Sequence, residues 1–116
     1  MFDVSEDRFE ELVVEALEGI PEAIKAHMAN VALFIEDNPP TEEPHLLGLY
    51  DGIPLTERGD TYSGVLPDRI LVFRNPLVAA CETEDDLLRE VRITVVHEIA
   101  HHFGIHDDRL DELGYA

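Results

Sequence analysis

His97, Glu98 and His101 form a His-Glu-x-x-His run that continues through His102, Phe103, Gly104, Ile105, His106 and Asp107. Four residues advance an α-helix by little more than one turn, so on a helix His97 and His101 leave one face about 40° apart. Two imidazoles at that offset can share one zinc ion at the usual Zn–N distance of about 2.0–2.1 Å. Glu98 stands next to the first of them, where it can take a proton from a metal-activated water without being a ligand. The plainer alternative is a solvated helix face, or a set of satisfied, partly buried side chains. Two features weigh against it. Val91, Thr94, Val95 and Val96 precede the run, so the histidines emerge from an apolar segment. Gly104 follows where a helix would end on a left-handed residue and let the chain turn back.

A catalytic zinc takes three protein ligands and keeps one position for water. Extending the pattern to His-x-x-Gly-x-x-(His/Asp) puts the third ligand on Asp107, with His106 one residue early and Asp108 and Asp111 further on. Asp107 is the preferred candidate and His106 the alternative, since carboxylate oxygens are accepted zinc ligands at about 2.0–2.2 Å. His102 points about 100° away from His101, which suits packing better than ligation.

The elements that must position these groups are visible in the patterning. Phe9, Leu12, Val13, Ala16, Leu17 and Ile20 recur at helical spacing opposite Glu10, Glu11, Glu15 and Glu18, with Ser5 as a plausible N-cap. Gly19-Ile20-Pro21 breaks that helix, and Pro21 can open a shorter one ending near His27 or Met28. Val31 to Ile35 reads as a buried strand. Residues 36–44 form a polar, proline-rich loop expected to be mobile and to border the histidine site, with His45 at its end a remote ligand candidate. Leu46–Tyr50 and Ile53–Thr56 flank Asp51-Gly52, a hairpin signal in which Pro54 confines the second arm to an edge. Residues 58–64 read as loop, and Arg69–Phe73 as another strand. Thr83 caps a long helix with Glu84, Asp85 and Asp86 in its first turn, running to about Phe103. The histidine run thus occupies the last two turns of a rigid element, a good base for groups that must hold their geometry.

At 116 residues the chain fits a single domain spanning 1–116. Its 26 acidic against 8 basic residues give a net charge of −18. That argues against nucleic acid, which needs clustered Lys and Arg, and against anionic membrane surfaces. Such acidity would draw cations or basic peptides, although a solvated acidic surface serves solubility equally well. The lone Cys81 sits in an apolar stretch and makes no disulfide framework; it reads as a small buried hydrophobe. No signal-peptide pattern and no apolar run of about 20 residues is present, so the expected location is the cytoplasm.

The run from His97 to Asp107 resembles the zincin metallopeptidases in the variant whose third ligand is Asp. The longer likeness is to a small bacterial family of zincin-like metallopeptidases. It is carried by Phe9–Val13, Leu47-Gly48-Leu49-Tyr50, Pro54-Leu55-Thr56, Leu66-Pro67-Asp68, Thr94–Gly104 and Leu113-Gly114-Tyr115. The resemblance implies a compact α+β zincin-like domain: a small mixed or antiparallel sheet packed against an N-terminal helix and a long C-terminal helix bearing the histidines. It implies one zinc per chain on His97, His101 and Asp107, with Glu98 as general base for amide hydrolysis of a peptide or protein substrate. It also makes an edge strand beside the metal helix, either the hairpin or Arg69–Phe73, the wall that aligns an extended peptide. A metzincin would add a Met-containing turn after the third ligand, but the only methionines are Met1 and Met28. The expectation is therefore a minimal zincin without the C-terminal wall of the cleft. Tyr115 is a candidate oxyanion stabiliser, or else a residue closing the core. The rival to an enzyme is a metal-stabilised binding or regulatory module, against which Glu98 argues, because a purely structural site needs no carboxylate there. Hydrolysis of a non-peptide amide or ester would use the same chemistry.

Overall fold

In the computed structural model, which describes residues 2–52, 68–105 and 107–115, helix α1 spans Glu6–Glu18. Ser5 caps it as expected, its Oγ accepting from the Arg8 N–H at 3.1 Å, with Glu6 and Asp7 at the positive end of the helix dipole. Pro21 then opens α2, Glu22–Lys25, which tightens into a 3-10 turn over Ala26–Met28. Strands β1, β2 and β3 span Val31–Glu36, Gly48–Asp51 and Asp68–Phe73. Helix α3 covers Arg74–Ala79, α4 covers Glu84–Phe103 and α5 covers Asp107–Glu112.

The three strands form one mixed sheet in the order β1-β3-β2. β1 runs parallel to β3, with Leu33 opposite Ile70, and β2 runs antiparallel to it, with Gly48 opposite Val72. In β3 the buried Ile70 and Val72 alternate with exposed Arg69 and half-buried Leu71, so one face of the sheet meets the helices. β1 corrects an expectation. Its residues are half-buried or exposed rather than buried, and Phe34 is 46% exposed. The second hairpin arm at Ile53–Thr56 and the loop at 58–64 lie outside the described residues.

α4 buries a broad apolar stripe because two partners cover it. Leu87, Val91 and Val95 are fully buried, as are Val96, Ile99 and Ala100. α1 packs along it through Phe9, Leu12, Val13 and Ala16, and the sheet takes another side. Each such large apolar side chain stabilises the fold by about 1.5–3 kcal/mol relative to exposure. Polar ties fix the helix pair: Arg8 forks onto Glu84 at 2.7–3.2 Å, and the Arg92 Nε donates to the Ala16 carbonyl at 3.1 Å. Thr83 Oγ accepts from the Asp86 N–H at 3.1 Å and starts α4. Gly104 ends it at φ 69°, ψ 31°, its N–H and that of Ile105 both closing onto the Ala100 carbonyl. These caps leave His97, Glu98 and His101 in the last two turns of a helix anchored along its whole length. The architecture is the expected α+β one, a small mixed sheet against an N-terminal helix and a long C-terminal one.

Candidate metal centre

His97 and His101 project from one side of α4 with ring centroids 6.3 Å apart and planes inclined by 59°. His97 and Glu98 are half-buried and His101 is exposed, so the pair straddles the boundary between core and solvent. Burial pushes the Glu98 carboxyl above its ordinary pKa, and the two histidines, the opposing influence, only partly offset this. The carboxylate is therefore more basic than a solvated Glu, as a proton-accepting group benefits from being.

A cleft of about 260 Å³ opens beside these side chains. Leu46, Leu47 and Gly48 form one wall, and Glu90, Ile93, Thr94, His97, Glu98 and His101 of α4 form the other. Gly48 makes the arrangement possible. A Cβ there would lie 2.5 Å from Thr94 Cγ2 and 3.1 Å from the Leu71 carbonyl oxygen, so only glycine lets β2 approach the helix this closely. Of the two strands expected to wall the cleft, β3 is ruled out because both of its edges are paired; the wall is β2 and the residues leading into it. Wider depressions of about 470–480 Å³ lie elsewhere, among them one against Leu33 and Arg74 and another against Pro76 and Ala79. Neither of these contains the histidine pair. The one at Pro76 holds His45 together with Asn38 and Pro44, not the candidate centre, and Asp37 and Asn38 are tied to Arg74 and Asn75.

The remaining candidates distribute as follows. His102 leaves α4 at a different angle and stacks on Tyr50, centroids 3.9 Å apart at 14°, with its Nε2 3.8 Å from an Asp68 oxygen. The Tyr50 hydroxyl donates to the same carboxylate at 2.7 Å. His102 is a packing residue, as its angular position predicts. His27 is exposed on the 3-10 turn and lies 4.7 Å from the Phe103 ring. Tyr115 enters in an unexpected role: its main-chain carbonyl oxygen lies 2.6 Å from His97 Nε2, while its half-buried ring packs on the core. His106 and the side chain of Asp107 lie outside the described part, although the backbone puts Asp107 at the first residue of α5. Among the described residues no group of three or more His, Cys, Asp and Glu side chains is gathered as a metal site. The donor set that is described, two imidazoles one turn apart with a partly buried carboxylate between them, suits a borderline-soft divalent cation such as zinc.

Comparison with known proteins agrees with this picture. The family described as zincin-like metallopeptidase matches residues 28–115, which takes in the sheet, the cleft and the whole histidine run. Helix α1, with its Phe9–Val13 block, falls outside the matched stretch. A conserved hypothetical protein from Thermo thermophilus has a similar solved structure, with a TM-score of 0.58 and 27% sequence identity. The likeness covers 86% of this chain and 94% of that one. No curated protein matches the chain.

Proposed function

The chain belongs to the zincin-like metallopeptidase family, and from that premise we propose that it is a zinc-dependent hydrolase of peptide bonds. The observation that carries the reading is Glu98: a half-buried carboxylate of raised pKa, between two histidines on one helical face, at the side of a cleft bordered by β2. His97 and His101 would hold the zinc, with Asp107 as third ligand and His106 as the alternative. Zinc held there would supply a Lewis acid that polarises the scissile carbonyl and acidifies water. Glu98 takes the proton from the attacking water and later delivers it to the leaving amine, a shuttle that its raised basicity favours.

β2 supplies the alignment. It borders the histidine-bearing face of α4, and an extended peptide laid along it can be aligned through backbone hydrogen bonds. Such a substrate lies across the face of α4 that bears His97 and His101. The strong negative charge of the chain favours basic peptides over acidic ones and disfavours nucleic acid and anionic membranes. Among the described residues no helix is long and apolar enough to cross a membrane. The reading includes action in the cytoplasm.

The test is a comparison of zinc-loaded wild type with Glu98→Gln against a mixed peptide pool, followed by mass spectrometry. Wild type should generate new peptide ends, and Glu98→Gln should retain zinc but generate none. Equal cleavage by both proteins would contradict the role of Glu98. Loss of zinc from Glu98→Gln would make it a ligand instead.

A further inference from the structure

Among the described residues, Glu90 is the one charged side chain lining the cleft that hydrolysis does not use. It is half-buried, and among those residues its carboxylate has neither a hydrogen-bond nor an ion-pair partner. The other charged side chains nearby on α4 are engaged: Arg89 with Asp86 at 3.0 Å, and Arg92 with the end of α1. Glu90 precedes His97 by seven residues, which returns it to the same face of the helix about 10 Å away along the axis. The walls beside it, Leu46, Leu47 and Ile93, are apolar.

From this placement we propose that Glu90 makes the cleft selective for peptides carrying Lys or Arg on the C-terminal side of the cleaved bond. The inference rests on the hydrolase reading and adds to it the chemistry of the substrate. Its direction follows from the strand. Gly48 approaches Thr94 and Gly52 approaches His102, so β2 runs alongside α4 in the same sense. A peptide lying in the cleft antiparallel to β2 therefore runs from the Gly52 end towards Leu46 and Glu90. At about 3.3 Å per residue, Glu90 faces positions about two or three residues beyond the cleaved bond. The apolar walls accommodate the aliphatic stem of Lys or Arg while its charged head meets the carboxylate. The net charge of −18 draws the same substrates towards the surface.

The experiment uses three peptides identical except for Lys, Ala or Glu at those positions. Cleavage by zinc-loaded wild type, Glu90→Gln and Glu90→Lys gives kcat/KM, and anisotropy gives binding to Glu98→Gln with and without the added Glu90→Gln change. Melting curves establish that each variant is folded. Wild type is expected to prefer the Lys peptide over the Glu peptide by about tenfold, the order expected for one charge-assisted hydrogen bond. Glu90→Gln should erase that preference and Glu90→Lys should reverse it. Equal use of the three peptides, or a Lys preference that survives Glu90→Gln, overturns the proposal. If no peptide is cleaved by any protein, the hydrolase reading fails, and the anisotropy series still decides the role of Glu90 by the same criterion.

Discussion

His97 Nε2 and the Tyr115 carbonyl oxygen are 2.6 Å apart, so the first histidine of the run is held by the main chain at the far end of the protein. A carbonyl oxygen only accepts, and the ring nitrogen must therefore carry the hydrogen. The lone pair of a neutral His97 is then on Nδ1. In metal-free protein, nitrogen NMR of the ring should show His97 as the Nε2–H tautomer. Signals of the Nδ1–H form would mean that the Tyr115 contact is absent in solution. If zinc is taken up through Nε2, that hydrogen must move to Nδ1 and the Tyr115 bond must open, so uptake should switch the ring to the Nδ1–H tautomer.

Glu98 carries a stability cost in the metal-free protein. Its folded-state pKa is raised by burial, so between the unfolded and folded values the native state holds the proton more tightly than the unfolded one. The sign is the reverse of an ion-paired carboxylate: stability falls as pH rises through that window, and the loss is complete above the folded pKa. Metal-free Glu98→Gln should therefore melt at a higher temperature than wild type near neutral pH. The two should converge at a pH below the ordinary glutamate range. A lower melting temperature for the variant at neutral pH would contradict the burial.

Gly48→Ala should damage the cleft through packing alone. The new methyl meets Thr94 Cγ2 at 2.5 Å, and the overpacking should cost about 1–3 kcal/mol, read as a lower denaturation midpoint. Adding Thr94→Ser removes that methyl and should recover part of the loss, a coupling that independent sites would not show, while the contact with the Leu71 carbonyl oxygen remains. Gly52→Ala meets the movable His102 ring at 3.3 Å and should be milder.

Much of this architecture is legible in the chain because local chemistry dictates it. Ser5, Thr83 and Gly104 are capping residues at the helix ends they predict, and the spacing of His97 and His101 needs only helical geometry. What escapes is non-local or lacks a residue-type signal. Helix α3 follows β3 directly, with Pro76 in its first turn, where a missing N–H costs nothing. The order β1-β3-β2 depends on pairing between distant segments, so the central position of β3 cannot be read from any one strand. The Tyr115 contact uses a main-chain carbonyl that every residue possesses. Glu90 belongs to the cleft only because Gly48 brings Leu46 and Leu47 up to the helix.

Cys81 should be inert. Burial, with the charges of Glu90 and Asp86 adding to it, pushes its thiol pKa up to about 11. At pH 8 that leaves on the order of one thiolate in a thousand. A thiol reagent should modify it slowly in native protein and rapidly after denaturation. Fast native modification would contradict its burial.

Hydrolysis of the kind proposed requires one zinc ion on His97 and His101 beside Glu98. Zinc content per chain tests this directly, measured for wild type and His101→Ala purified without chelator or nickel affinity and supplied with zinc near neutral pH. About one zinc per wild-type chain is expected, and its loss from the variant. Wild type without zinc, or His101→Ala with as much as wild type, would contradict it and leave a zincin-like scaffold whose function is binding rather than hydrolysis.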